Sequence, residues 1–280
     1  MGLMIALRGS YEMGGVPEIG NIELLCAAGF MLVAGLVSYR SAMGLEKDIA
    51  ISTLRAFVQL IALGFVLGWV FDNQSWEMVL LIMFIMVLNA TQIARGRIKS
   101  CPSGITLQLF VSLLITSFTM VFLVVELIVK PELWYDARVV VGIFGMILGN
   151  AMSSSAVALD RTFSSLDARS DEVLALISLG ATPLEAARPS IMSAVRAGMI
   201  PTLATLSAAG VVQIPGMMTG QVLAGADPLS AAKYQLVLLM AISATTTLCN
   251  IAVVRWCFRK RFSSDGYYLD STLRGASRSR

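Results

Sequence analysis

The residues best equipped for a specific contact interrupt an otherwise apolar chain. The stretch Ser178–Pro201, SLGATPLEAARPSIMSAVRAGMIP, holds two glycines, three prolines, a glutamate and two arginines. Just before it, Ser170 can cap a helix that opens with Asp171 and Glu172, where acidic side chains suit the positive end of the helix dipole. Val173, Leu176, Ile177 and Gly180 follow at helical spacing and form one apolar face. Gly180 is placed to stop that helix, since glycine accepts the left-handed backbone of a C-terminal cap. Thr182-Pro183-Leu184-Glu185 is a capping box with proline at the first helical position, so a second helix starts there. Pro189, seven residues in, predicts a kink or restart before the next apolar run. The result is an elbow of two short helices with an apolar edge. Physical chemistry alone leaves two uses for it: a connector resting on the lipid interface, or a plug inserted into a groove on a cytosolic partner. Two abrupt stops within a dozen residues favour the plug. Its contact residues would be Glu172, Leu176, Gly180, Ala181, Thr182, Pro183, Glu185 and Ala186.

A second set of polar residues sits inside the long apolar runs. Arg55 falls about 9 Å into the second run at 1.5 Å per residue. It is either a snorkelling anchor or an inward-facing charge, and Gln59 shares its helix face one turn on. Glu23 and Glu126 fall near span ends, either holding a departing cation or remaining as solvated helix-end charges. Asn89, Asn150 and Gln213 lie deeper, where amides commonly hydrogen-bond a neighbouring helix. Pro215 and Gly216 break the sixth run in its outer third, a position that reads as a gate or pathway wall. Met217 and Met218 add thioethers, which suit Cu(I) better than iron. Gly142, Gly145, Gly149 and Ser153 recur at 3–4 spacing, a pattern for close helix packing. No metal-ligand set is assigned.

Several chemistries are excluded. The sequence has no histidine, and none of its four cysteines (Cys26, Cys101, Cys249 and Cys257) forms a CxxC pair. It contains no GxxxxGK[ST] phosphate loop, no HExxH and no GxSxG. No basic face interleaved with aromatics points to nucleic acid.

The elements that must carry these residues follow from composition. Of 280 residues, 56% are hydrophobic and 14% charged, against about a quarter charged in soluble domains. The mean hydropathy is +0.77. The expected fold is an all-α integral membrane protein of about seven spans, at 20–39, 49–71, 77–94, 105–129, 138–159, 197–222 and 234–257, with the elbow between the fifth and sixth. Sixteen of the 21 Lys and Arg residues fall in one set of connections and the tail, four in the other set. That bias predicts an extracytoplasmic N-terminus and a cytosolic C-terminus. The domain reading is an extracytoplasmic segment over 1–18, a transmembrane domain over 19–258 with a cytosolic loop at 160–196, and a basic cytosolic tail over 259–280. A signal peptide is not expected, because Arg8 and Glu12 follow a six-residue apolar start.

Four long blocks resemble one family. LRAFVQLIALGFVLGWVF (54–71), GMILGNAMSSSAVALDR (145–161), LGATPLEAARPSI (179–191) and GVVQIPGMMTGQVLAGADPLSAAKYQ (210–235) look like the bacterial iron-export ABC permease family. That family includes the membrane half of the plant aluminium-tolerance transporter. The elbow also resembles the glutamate-alanine-alanine loop by which ABC permeases dock their ATPase, although here Gly180 precedes rather than follows Glu185-Ala186-Ala187. Residues 1–18 and 262–280 carry no such likeness. The resemblance implies a non-enzymatic permease of the bacterial inner membrane that exports metal ions, iron in the first place. It further implies a homodimer in lipid, with ATP and Mg held by a separate ATPase and no cofactor on this chain. Two other readings stay open: an ABC permease whose cargo is an organic solute such as a sugar nucleotide, and an ion-gradient-driven secondary transporter.

Overall fold

The computed structural model describes residues 20–73, 75–98, 102, 104–263 and 266–269. Among them the chain is almost wholly helical. The helices are α1 (Asn21–Arg40), α2 (Glu46–Asn73), α3 (Trp76–Gly96), α4 (Thr106–Leu123), α5 (Ala137–Ala168), α6 (Ser170–Ser178), α7 (Pro183–Ala208), α8 (Gly216–Leu223) and α9 (Pro228–Cys257). A π-helical stretch, Val124–Val129, extends α4, and a 3-10 turn, Phe258–Arg261, follows α9. Seven of these helices are long and apolar enough to cross a membrane. The protein is a multi-pass membrane protein.

The described residues form two compact units. The first holds α1, α2, α8 and the first turn of α9. The tight link between α1 and α2 places Ala42 and Gly44 at positive φ, and Leu45 donates its N–H to Ser38 Oγ at 3.1 Å. Asp227 caps α9 by accepting from Ser230 N–H at 2.8 Å and Ser230 Oγ at 2.9 Å. The Ser230 N–H bond above all holds the Asp227 carboxyl below its ordinary value.

The second unit holds α3 to α7 and the rest of α9, and it is organised around α5. Asp136 caps α5 by accepting Arg138 N–H at 3.0 Å. With 32 residues α5 is about 48 Å long, more than a bilayer's hydrocarbon core of about 30 Å, so part of it must project. Its buried face carries Ile143, Phe144, Ile147, Leu159 and Phe163, with Phe118 edge-on to Phe144 at 5.0 Å. Gly145 admits α3 closely, because a Cβ there would lie 3.3 Å from Met86 Cε. A Cβ at Gly142 or Gly149 would meet nothing within 4 Å among the described residues, so of the three glycines in that series Gly145 alone makes a close approach there.

Three local expectations change. The stretch 160–196 is mainly helix: α5 runs to Ala168, and α7 runs unbroken from Pro183 to Ala208. Pro189 does not end α7, since Ala186, Ala187 and Ser190 beside it are buried and packing outweighs one missing backbone bond. The sixth apolar helix is therefore Pro183–Ala208 rather than 197–222, and its break starts at Ala209, before Pro215. Gly210 turns the chain there at φ 85°, and Ala208 C=O accepts from Val212 and Gln213 N–H, each at 3.0 Å.

Candidate functional site

The elbow is closed by hydrogen bonds on both sides of its turn. Ala181 N–H bonds Leu176 C=O at 3.0 Å and Gly180 N–H bonds Ile177 C=O at 2.9 Å, with Gly180 at φ 93°. This paired closure satisfies the last carbonyls of α6, and a side chain at position 180 would strain it. Two residues on, Glu185 N–H bonds Thr182 Oγ1 at 3.3 Å, while Glu185 Oε2 accepts Thr182 N–H at 2.8 Å and Thr182 Oγ1 at 2.7 Å. The expected capping box is thus complete, with Pro183 at the first helical position. The two helix ends are locked within three residues of each other.

A second tie fixes the angle. Arg169, between α5 and α6, donates from Nε to Glu172 Oε2 at 2.8 Å and from Nη2 to Oε1. Its Nη1 reaches Ser190 Oγ on α7 at 3.0 Å, and Ser165 Oγ donates to the same hydroxyl at 3.0 Å. The bond from Arg169 holds the Glu172 carboxyl below its usual range and raises the guanidinium in return. Glu172, named as a contact residue, is therefore also a strut.

The apolar face of α6 turns inward. Val173 is fully buried and Leu176 and Ile177 pack beside it, against Leu166, Ala186, Ala187, Phe258, Phe262 and Tyr268. Leu176 and Ala186 thus belong to a small core, and Ala181 and Pro183 are half-buried. The outer surface is made by Glu172, Leu174, Leu179 (84% exposed), Gly180, Thr182, Leu184, Glu185 and Arg188. Three leucines, Leu174, Leu179 and Leu184, and two carboxylates, Glu172 and Glu185, are thus left exposed around this corner.

Where α5, α7 and α9 cross, the structure assembles a polar node that the sequence did not signal. Ser154 Oγ donates to Gly198 C=O at 2.8 Å and accepts from Asn250 Nδ2 at 2.7 Å. Ser155 Oγ donates to Asn250 Oδ1 at 3.3 Å and lies 3.3 Å from Cys249 Sγ. Gly198 is required here, because a Cβ would sit 2.9 Å from Ser154 C=O and from Asn250 Nδ2. Buried amides and hydroxyls in a span need such partners.

The candidate pathway residues are placed differently. Glu23, Arg55 and Gln59 are exposed on α1 and α2 of the first unit, where Met217 and Met218 of α8 are half-buried. In the second unit Glu126 is exposed within the π-helical stretch, and such stretches recur at functional sites. Asn150 is exposed, and its Nδ2 bonds its own helix at Met146 C=O, 2.8 Å away. Asn89 does the same with Ile85 C=O at 2.9 Å. Gln213 is exposed and Pro215 half-buried in the break after α7. Among the described residues no three His, Cys, Asp or Glu side chains come together as a metal site.

Comparison with known proteins matches residues 21–262 to the uncharacterised protein family UPF0014. The chain is 36% identical to the UPF0014 membrane protein YjkA of Bacillus subtilis, over 78% of this chain and 86% of that one. It is 33% identical to the Escherichia coli protein named "Probable iron export permease protein FetB", over 88% and 94% of the two chains. It is 30% identical to the Arabidopsis thaliana protein ALUMINUM SENSITIVE 3, over 87% and 88%. No solved structure matches at a significant level. With nearly its whole membrane part matched, this chain is a member of the UPF0014 family of membrane permeases.

Proposed function

We propose that the chain is the permease subunit of an ABC transporter that exports a metal ion, iron in the first place, from the cytosol. The energy comes from ATP and Mg bound on a separate ATPase subunit, and this chain holds no cofactor. The assembly is a homodimer in the plasma membrane, with the N-terminus outside and the C-terminus in the cytosol. The observation that carries the reading is the elbow. Leu174, Leu179 and Leu184 are exposed around a corner locked by Gly180 and the Thr182–Glu185 box. A rigid corner transmits force, whereas a flexible loop would absorb it.

Two further facts support it. The elbow lies among the connections that carry most of the positive charge, which is the cytosolic side by the loop rule. The Escherichia coli relative is named a probable iron export permease. The candidate pathway residues are Glu23, Arg55, Gln59, Glu126, Asn150 and Gln213, with Pro215 at the break and Met217 and Met218 beyond it; of these only the carboxylates, amides and thioethers can ligate a cation. A set of carboxylates, amides and thioethers without imidazole would hold Fe²⁺ only weakly, as a transit path requires.

The test is transport by vesicles holding this chain with its ATPase, offered Fe²⁺, other divalent ions and a sugar nucleotide, each with and without ATP. ATP-dependent movement of Fe²⁺ is the expected result. ATP-dependent movement of the organic solute alone would replace the cargo, and movement unchanged without ATP would replace the energy source.

A further inference from the structure

The family match ends at residue 262, yet the core beneath the elbow does not. Past the end of α9 the chain folds back on itself. Ser263 N–H bonds Tyr267 C=O at 2.7 Å and Leu269 N–H bonds Arg261 C=O at 2.8 Å, which pairs Phe262 with Tyr268 antiparallel. Their rings meet edge-on at 5.5 Å, and Phe258 meets Phe262 at 6.0 Å. Gly266, at φ 85°, makes the bend beside Pro183, where a Cβ would lie 3.6 Å from the proline ring.

One carboxylate gathers the polar groups of this hairpin. Asp167, on the last turn of α5, takes Arg261 Nη2 at 2.8 Å on one oxygen and Tyr268 Oη at 3.1 Å on the other. The Arg261 guanidinium also lies 5.5 Å above the Phe163 ring. Arg261 is 5% exposed and Tyr268 7%, so the start of the basic tail is packed rather than solvated. Two side chains 94 and 101 residues away in sequence converge on one acidic group.

We propose that Arg261 and Tyr268 are positioning residues: the C-terminal hairpin clamps the elbow to the ends of α5 and α9. The helix α6 has only nine residues, too few to persist by itself in water. It is held by burial of Val173, Leu176 and Ile177, and Phe258, Phe262 and Tyr268 make one wall of that burial. Without the wall, the corner can swing about its turn. With it, a push on the elbow moves α5, α7 and α9 together. That mechanical half rests on the docking role proposed above, whereas the clamp itself does not.

The experiment places a nitroxide on Leu179→Cys of the full chain, with Cys26 and Cys101 changed to serine, in lipid vesicles without ATPase. Tyr268→Ala and Arg261→Met are expected to shorten the label's rotational correlation time by about two-fold or more, a nanosecond loop motion. Tyr268→Phe, which removes one oxygen, should lie between these and the unchanged chain. With the ATPase added, the same variants should keep ATPase binding but move several-fold less Fe²⁺ per ATP hydrolysed, a ratio that a purely structural defect would not alter. Unchanged label mobility in the variants overturns the clamp. Raised mobility with an unchanged transport-to-hydrolysis ratio overturns its mechanical role. If Arg261→Met or Tyr268→Ala does not insert, Tyr268→Phe decides by the same criteria. An elbow with scrambled sequence that still binds the ATPase would defeat the docking reading while leaving the label result to stand.

Discussion

Two regions of the chain's apolar part are built on opposite principles. In α1 and α2 only 6% of the apolar stretch is buried within the chain, and Glu23, Arg55 and Gln59 are exposed. In α5 and α9 the figure is 56%, and three polar residues there, Ser154, Ser155 and Asn250, are sealed in a shared network, while Asn150 on α5 stays exposed. Polar groups in the first region are exposed on their own helices. In the second the networked three hold helices to one another. The difference separates residues whose loss should alter function from residues whose loss should alter folding.

The largest effect that tests this division lies at the elbow. Replacing the exposed Leu179, Leu184 and Glu185 together by serine should abolish co-purification of the ATPase while the protein, its buried Ala186 and Ala187 untouched, still extracts as a folded membrane species. Retained co-purification would remove the elbow from the interface. Next come two glycines on the same side of the comparison. Gly198→Ala forces a Cβ against Ser154 C=O and Asn250 and should cost about 1–3 kcal/mol, seen as a lower midpoint in thermal aggregation from detergent. Gly149→Ala meets open space and should be neutral or stabilise by up to about 1 kcal/mol through helix propensity. Equal effects at both positions would erase the distinction.

Smaller effects sharpen it. Thr182→Ala removes the capping box and should cost about 1 kcal/mol, read as loss of hydrogen-exchange protection at the start of α7. Arg55→Leu, on an exposed face of α2, should change thermal stability by less than about 0.5 kcal/mol yet reduce transport. A large loss of stability would move Arg55 into the structural class. The smallest effect is a pH response at the elbow. Arg169 lowers the folded pKa of Glu172, so the pair's contribution is complete above the unfolded carboxylate value of about 4.3 and is lost as pH falls through the lowered folded value. Thermal scans from pH 7 to pH 3 should show an acid-side loss that Glu172→Gln removes and that salt reduces, since the pair is exposed.

What could be read from the sequence divides along the same physical line. Gly180, Thr182, Pro183 and Glu185 act on backbone groups within four residues of themselves, so the stop of α6 and the start of α7 were legible from local spacing. The apolar helices were legible for the same reason, since length and composition are local properties. Asn250 was not, because its partners Ser154 and Ser155 lie 96 and 95 residues away and no periodicity announces them. Tyr268 was hidden likewise, in a short polar stretch with neither helical nor strand spacing. The restart expected at Pro189 does not occur, because the burial of Ala186, Ala187 and Ser190 outweighs the local backbone chemistry of a single proline.

The central claim is that the exposed corner around Leu179 faces the cytosol and is covered by an ATPase. A membrane-impermeant maleimide applied to Leu179→Cys, in the background lacking Cys26 and Cys101, tests both parts at once. The account predicts labelling in inside-out vesicles, none in intact cells, and protection when the ATPase subunit is added. Labelling from the outside of intact cells, or labelling in vesicles that the ATPase leaves unchanged, would contradict it.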